Sequence, residues 1–393
     1  MTRRTGSWTI RWIVVYDDHR ALLQVSPSIV FRVDASTEIG TGHVMRCLAL
    51  AEAAALCGTK SQFICRAHKG NLISKIKERG FDVIGLPADL SRLLGPDRMA
   101  SSYELWLGTT AVQDAADTIG ALQTSKPDWL VVDHYGIGRD WEEQLRPYCS
   151  ALMCIDDLAD RLHDCDVLLD HGLGPRRSLY TNLVPPAALL LCGPEYAPLR
   201  PEFAALRDES LARRRSPRLR HLLVSMGGAD KENATGAVLK ALAYGMDLSK
   251  LDVTVVLGPS APWLHEVQAA TKALAGQIRL IVDTPLMAEL MRDADLIFGA
   301  AGTSSWERCC LGVPSVVLAI ADNQLEVAKS LEVAGAAFVL KDQGALQDFI
   351  LRNREKLASS SSLAEMAKRA ARITDGHGAK KVVEKMLSEL RLA

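Results

Sequence analysis

A histidine placed just after a glycine-rich turn is the side chain of this sequence best placed to do chemistry. The stretch Arg32-Val33-Asp34-Ala35-Ser36-Thr37-Glu38-Ile39-Gly40-Thr41-Gly42-His43-Val44-Met45-Arg46 begins at the end of a hydrophobic run, residues 29–33, that reads as a buried strand. From His43 onward Val44, Leu48, Ala51 and Ala55 keep helical spacing as far as Gly58, a natural helix stop. The start of a helix carries unpaired amides and the positive end of a dipole, so it disfavours a cation and attracts phosphate. A histidine there reads as a neutral base beside an anion. Gly40 and Gly42 equally serve a plain strand-to-helix turn with His43 incidental, and spacing leaves both readings open. The fingerprint G-x-G-x-x-G is absent, because Met45 stands where its third glycine belongs, which weakens a nicotinamide-nucleotide reading.

A second stretch with chemical potential is Gly299-Ala300-Ala301-Gly302-Thr303-Ser304-Ser305-Trp306-Glu307. Its small residues let backbone amides approach a diphosphate, Thr303, Ser304 and Ser305 add hydroxyl donors, and Glu307 can accept ribose hydroxyls. A capping box would use the same residues. Met226-Gly227-Gly228-Ala229-Asp230 is another glycine-rich turn after a strand, with Asn233 as a cap, and Asp322-Asn323-Gln324 opens a later helix, for which these are good N-cap residues. His134, Tyr135, Asp156 and Asp157 also fall at strand ends, where open parallel sheets bind ligands. Asp156 and Asp157 read first as turn formers and only second as metal ligands. Tyr135 is a packed aromatic or, sharing a rim with His43, a substrate contact.

These side chains need a scaffold of alternating strands and helices, and the sequence supplies one. Strand patterns at 61–66, 81–86, 129–133 and 152–155 alternate with helical patterns at 69–79, 111–122 and 141–148, with a less regular stretch at 87–108. A second array has strand patterns at 221–226, 253–257, 278–282, 296–298 and 315–320, followed by a mainly helical tail broken at Ser359–Ser362 and ending in a helix from Ala379 to Leu392. The expected organisation is an appended extension over 1–28, a first α/β domain over 29–206, a linker over 207–220 that contains the basic run Arg213-Arg214-Arg215, a second α/β domain over 221–375 and a C-terminal helix over 376–393.

The 393 residues suffice for two full cores, and 48% hydrophobic with 24% charged content is ordinary for a globular protein. A net charge of −1 gives no general reason for a nucleic-acid or membrane partner. Nine cysteines, odd in number and without a C-x-x-C pair, fit a reducing cytoplasm and small core residues better than ligands, so no metal and no cofactor is expected. The apolar run near residues 8–15 is interrupted by Arg11 and lacks a signal-peptide pattern. A monomer or weak oligomer is expected.

Six ordered motifs together carry a resemblance. They are Arg32-x-Asp34-x-Ser36 with Ile39-Gly40-x-Gly42-His43-x-x-Arg46, Val132-Asp133-His134-Tyr135-Gly136-Ile137, Asp156-Asp157, Met226-Gly227-Gly228-x-Asp230, Ser304-Ser305-x-Glu307, and Asn323-Gln324. In this order, over roughly residues 29–340, the chain resembles the UDP-2,4-diacetamido-2,4,6-trideoxy-β-L-altropyranose hydrolases of pseudaminic acid (nonulosonic acid) biosynthesis, relatives of MurG-type glycosyltransferases. The resemblance implies a GT-B fold, two Rossmann-like domains with parallel sheets facing across a cleft. It implies a UDP-sugar substrate, with water attacking C1 to release UDP without a metal. His43 would be the base, Tyr135 and Asn323 would help place water and sugar, and Arg32, Asp34, Gly40, Gly42, Arg46, His134, Met226, Gly227, Gly228, Asp230, Gly302, Thr303, Ser304, Ser305, Glu307 and Gln324 would line the substrate site. A glycosyltransferase using the same donor is the runner-up. A non-catalytic UDP-sugar sensor is a third reading, one that has no need of His43.

Overall fold

The computed structural model describes residues 26–88, 102–123, 125–259, 261–274 and 277–390, so most of the expected extension lies outside the described residues. The first sheet has seven parallel strands: β1 (Ser28–Val33), β2 (Lys60–Arg66), β3 (Asp82–Leu86), β4 (Trp129–Asp133), β5 (Ala151–Ile155), β6 (Val167–Asp170) and β7 (Leu189–Cys192). They lie in the order β3-β2-β1-β4-β5-β6-β7, so the chain moves outward from β1 to one edge and then returns to build the other. That reversal beside β1 is the switch point where open sheets form ligand crevices. Register places Phe31 opposite Phe63 and Val131, and Val33 opposite Asp133. The ends of β1 and β4 are thereby side by side.

Among the described residues the helices between its strands are α1 (Gly42–Leu56), α2 (Ile73–Glu78), α3 (Ser102–Leu107), α4 (Ala111–Leu122) and α5 (Arg139–Leu145). Strands covered on both faces are apolar nearly throughout, as in Trp129-Leu130-Val131-Val132 of β4. One face packs Val44, Leu48 and Ala51 of α1 on Phe31 and Val131, and the other packs Trp141 and Leu145 on Leu130 and Leu152. The helix expected over 69–79 shortens to α2 because Asn71 forms a turn with His68 and its side chain accepts the Ile73 amide.

After α6 (Pro201–Arg213) comes a second parallel sheet: β8 (His221–Ser225), β9 (Asp252–Leu257), β10 (Gln277–Val282), β11 (Leu296–Ala300), β12 (Ser315–Leu318) and β13 (Phe338–Leu340), in the order β10-β9-β8-β11-β12-β13. It is sandwiched by α7 (Ala234–Gly245), α8 (Leu264–Ala273), α9 (Met287–Asp293), α10 (Ser304–Cys310), α11 (Leu325–Val333), α12 (Leu346–Ala358) and α13 (Ser360–Ala370). Ser359 caps α13, taking the Ser362 amide.

Three findings depart from the expected plan. Strands β6, β7 and β13 had no sequence signal of their own: they are only four, four and three residues long, and β5, β6 and β7 are joined by coil and 3₁₀ turns instead of α-helices. The linker expected over 207–220 begins inside α6, whose Arg207 donates to the carbonyls of Cys310, Ala371 and Thr374. The last helix, α14 (Gly378–Leu390), joins the first domain's core: Val382, Val383 and Met386 pack with α1, and Trp129 Nε1 donates to the Met386 carbonyl at 3.2 Å.

The crossing of the chain back to its first domain makes α14 part of that core. Met386→Ala, at a side chain 1% exposed, should therefore lower the unfolding free energy by about 2–5 kcal/mol in urea denaturation. A loss below about 0.5 kcal/mol would contradict the docking of α14.

Candidate active site

His43 sits in the first turn of α1, whose N-terminal end has no side-chain cap and no acidic residue. The preceding turn is held by Gly40, with φ +82°, whose amide donates to Ser36 O at 2.9 Å. A non-glycine residue at 40 would be strained there. His43, Arg46 and Cys47 stand at i, i+3 and i+4, one face of the helix. All three point at Asp133, the last residue of β4: His43 Nδ1 is 2.7 Å from Oδ1, Arg46 Nη2 2.6 Å from Oδ1, Arg46 Nε 2.7 Å from Oδ2 and Cys47 Sγ 3.5 Å from Oδ2. Burial pushes the Asp133 carboxyl up, but the Arg46 guanidinium and His43 overcome it and hold it well below the usual carboxylate range. A permanent acceptor at Nδ1 puts the imidazole proton there and leaves the lone pair on Nε2. Among the described residues Nε2 has no hydrogen-bond partner, and the residue keeps 8% exposure.

A second carboxylate completes the cluster. Asp157 accepts Arg46 Nη1 at 3.0 Å and the Tyr135 hydroxyl at 2.6 Å, while Arg46 Nη1 also lies 2.9 Å from His171 Nε2. The Tyr135 ring meets the His43 ring edge-on with centroids 4.7 Å apart, which limits rotation of the imidazole. Burial and then the Asp157 charge raise the Tyr135 hydroxyl well above its usual range, so it stays a neutral donor. His171, just beyond β6, packs against Trp306 of α10 with centroids 6.1 Å apart and so ties this cluster to the second domain.

Four expected substrate contacts are instead committed to the protein. Arg46 spends its guanidinium on Asp133, Asp157 and His171 and is 2% exposed. Arg32 is fully buried between Asp34, with Nη1 2.8 Å from Oδ1, and Asp114, with Nη2 2.6 Å from Oδ2. Asp34 also takes the Arg66 amide at 2.6 Å. His134 accepts the Gly136 amide at Nδ1, 2.9 Å away, and turns Nε2 toward Asp34, at 3.8 Å. These residues fix the loops at the ends of β1 and β4 and do not face the cleft as ligands. Asp156 has the bland role: its carboxylate takes the Ala159 amide at 2.9 Å and Arg161 at 2.7 Å.

In the second domain Met226 is a core residue, 1% exposed, and Asp230 caps α7 through the amides of Ala234 and Thr235 at 2.8 and 2.9 Å. Neither is a substrate contact through its side chain. Gly227, with φ +95°, and Gly228 form the open turn between β8 and α7. Across the cleft a β-carbon on Gly42 would stand 3.0 Å from Thr303 Oγ1, and one on Gly228 3.4 Å from Thr41. Glycine at 42 is thus what lets the turn before His43 approach the 302–305 loop. Lys231–Glu38 (2.5 Å) and Lys75–Asp283 (3.0 Å) bridge the same cleft. Gln324 lies against this loop, its Nε2 3.9 Å from where a Gly302 β-carbon would be, and Asn323 in the turn before α11 has no side-chain hydrogen bond among the described residues. Glu307 lies 3.8 Å from Arg200, and burial raises its carboxyl above the usual range.

Sequence reasoning passed over Asp133 and His171 as site residues. A lone carboxylate ending the apolar strand Trp129-Leu130-Val131-Val132-Asp133 was a usable signal; His171 follows a strand too short to be seen. Among the described residues one group of metal-ligand type, Glu142, Cys154 and His163, comes together on the other face of the sheet. Glu142 already takes His163 Nδ1 at 2.7 Å, Cys154 Sγ at 3.0 Å and the Asp164 amide at 2.5 Å, while His163 Nε2 stands 3.8 Å from Asp156. No helix among the described residues is long and apolar enough to cross a membrane.

Comparison with known proteins agrees with this architecture. Residues 222–386 match the Glycosyltransferase family 28 C-terminal domain. The chain is 27% identical over 308 residues, 78% of its length and 97% of the relative's, to the UDP-2,4-diacetamido-2,4,6-trideoxy-beta-L-altropyranose hydrolase of Campylobacter jejuni. It is 28% identical over 298 residues to an uncharacterized protein of Methanocaldococcus jannaschii, a match covering 74% of this chain but only 55% of that protein. The crystal structure of MurG from Acinetobacter baumannii superimposes with a TM-score of 0.63 over 92% of this chain and 99% of MurG, at 15% identity. The fold is GT-B.

Two outcomes follow from this geometry. Asp133→Asn keeps the shape but can no longer be a permanent acceptor at Nδ1, and should lower turnover by about 10²–10⁴-fold with little change in nucleotide affinity, measured by steady-state kinetics and calorimetry. Full activity would place the orienting group elsewhere. Burial pushes His134 and His171 down to about 4, so both are neutral in the fold, whereas in the unfolded chain they gain a proton near pH 6.5. Their contribution to stability is present above roughly pH 6.5 and is lost as pH falls toward 4. His134→Asn, which can still accept the Gly136 amide, should flatten the fall of urea midpoints over that window; an unchanged slope would contradict a neutral His134.

Proposed function

We propose that this protein hydrolyses a UDP-linked 2,4-diacetamido-2,4,6-trideoxyhexose, releasing UDP by attack of water at C1, as a cytoplasmic step of nonulosonic acid biosynthesis. The observation that carries the reading is His43, with Nδ1 held by Asp133, Nε2 without a protein partner among the described residues, and the adjacent Gly42 close to Thr303. The likeness to the Campylobacter jejuni hydrolase along nearly its whole length supports the substrate class.

In the proposed reaction His43 Nε2 takes a proton from water as the water oxygen bonds to C1 and the bond from C1 to the diphosphate oxygen breaks, leaving UDP and the free sugar. Asp133 stabilises the imidazolium that forms. The leaving diphosphate has low basicity, so one base does the work for which ordinary glycosidases use two carboxylates. The Gly227-Gly228 turn and the Gly302, Thr303, Ser304 and Ser305 loop receive the diphosphate, and Glu307 and Gln324 take the ribose and phosphate contacts in this reading. Asn323, free of protein partners among the described residues, is the polar group of the second domain proposed to hold the sugar or the water. Tyr135 acts by holding the His43 ring, with its hydroxyl donating to Asp157.

Incubation with the UDP-linked sugar and no acceptor should yield equimolar UDP and free sugar, while His43→Gln should cut this by about 10²–10⁴-fold and leave UDP affinity unchanged. UDP formation only on addition of an acceptor hydroxyl would make the protein a transferase. Binding without turnover by the wild type would make it a sensor.

A further inference from the structure

The 299–307 stretch supplies the expected diphosphate contacts, yet the residue directly after it is the unusual one. Arg308 is 2% exposed, and its guanidinium lies under the loop: Nη2 donates to Ala300 O at 2.8 Å and Ser305 Oγ at 2.9 Å, and Nη1 to Ser304 Oγ at 3.0 Å. Among the described residues no carboxylate forms an ion pair with it. The other buried arginines have their charge answered. Arg32, Arg46, Arg66 and Arg176 each meet an aspartate, and Arg200 meets Glu202, all within 3.0 Å. Arg214 has none, but its donors reach the carbonyls of Met291, Arg292 and Ala294 at the negative end of α9. Arg308 has one carbonyl and two hydroxyls. Burial pulls it down to about 10, which still leaves it charged at neutral pH.

The seat of this charge is built for it. A β-carbon on Gly299 would stand 2.6 Å from Arg308 Nη1, so only glycine in β11 leaves room for the guanidinium. Burying a cation without a counter-charge is costly, and truncating a well-packed neutral side chain costs less than leaving such a charge unanswered. A hydroxyl oxygen that accepts from a guanidinium turns its own proton away from it, and the Ser304 hydroxyl proton has no acceptor among the described residues. The charge and the Ser304 hydroxyl together suit an anion on the open side of the loop.

We propose that Arg308 is the electrostatic floor of the diphosphate site: it orients the Ser304 and Ser305 hydroxyls and supplies a buried positive charge that Glu307 answers only at longer range and a bound nucleoside diphosphate answers across the loop. The inference rests on the nucleotide-sugar reading and deepens it. Arg308 is a positioning residue, acting on the ligand through the loop and through its field, and it selects for the diphosphate over the nucleoside. The same charge favours departure of the diphosphate, whose negative charge grows as the bond to C1 breaks.

The test is calorimetric titration of the full chain with UDP, UMP, uridine and inorganic pyrophosphate, for the wild type and for Arg308→Gln, which keeps hydrogen-bond donors and removes the charge. Arg308→Gln should weaken UDP and pyrophosphate at least about tenfold and leave uridine unchanged. Arg308→Lys should recover part of the loss. The ligand-free Arg308→Gln protein should melt no lower than the wild type. Equal weakening of UDP and uridine, wild-type UDP affinity in Arg308→Gln, or a ligand-free variant that is less stable or unfolded would overturn the inference. A wild type that binds pyrophosphate but not UDP would instead sink the nucleotide reading, and the pyrophosphate titrations would still decide the role of Arg308.

Discussion

The bidentate pair between Arg46 and Asp133 is the interaction on which the first domain's chemistry depends. It joins one turn of α1 to the end of β4 through two bonds of 2.6 and 2.7 Å, both away from solvent. A buried ion pair is tolerable only when its remaining hydrogen-bonding capacity is met, and here it is: Asp133 also takes His43 and Cys47, and Arg46 also reaches Asp157 and His171. Such a pair contributes little net stability but is expensive to break. It holds a carboxylate at Nδ1 of His43, so the His43 edge that has no protein partner among the described residues is fixed in direction and in protonation pattern before any ligand arrives.

The fold serves that constraint from both sides of the cleft. The switch in strand order beside β1 sets His43 and Asp133 at adjacent strand ends, and Gly42 permits the turn before His43 to touch Thr303. His171 carries the network to Trp306, one residue before Glu307 and two before Arg308. Helix α14 returns after the second domain to pack on α1, the helix that bears His43. Relative placement of the two domains is therefore coupled to the position of the imidazole through packed side chains at both ends of α1.

Much of this was legible in the sequence, and the failures have physical causes. Strands such as Trp129–Asp133 and the helix at Ala111–Leu122 are long, apolar or strongly periodic, and their limits are those expected. Strands β6, β7 and β13 are three or four residues long, too short to separate from coil, and missing β6 hid His171. The glycine-rich turns and His43 stood out because chemistry near backbone needs small residues. What motif reading could not decide was which polar residues face a ligand and which hold the protein together. Arg32, Asp34, Arg46 and His134 occupy motif positions yet are held by the protein, Arg32 by Asp34 and Asp114, Arg46 by Asp133 and Asp157, and His134 by the Gly136 amide, and only distances reveal that. Arg308 is the converse, a polar residue that no motif singled out and that has no ion-pair partner among the described residues.

The most direct measurement of the central claim is the tautomer of His43 in the ligand-free protein at neutral pH, read from two-bond nitrogen–proton correlations of the imidazole and assigned by their loss in His43→Gln. The account predicts a protonated Nδ1 and an unprotonated Nε2, with that pattern lost in Asp133→Asn. An Nε2-protonated tautomer in the wild type would contradict it, because the nitrogen assigned to take the proton from water would already carry one.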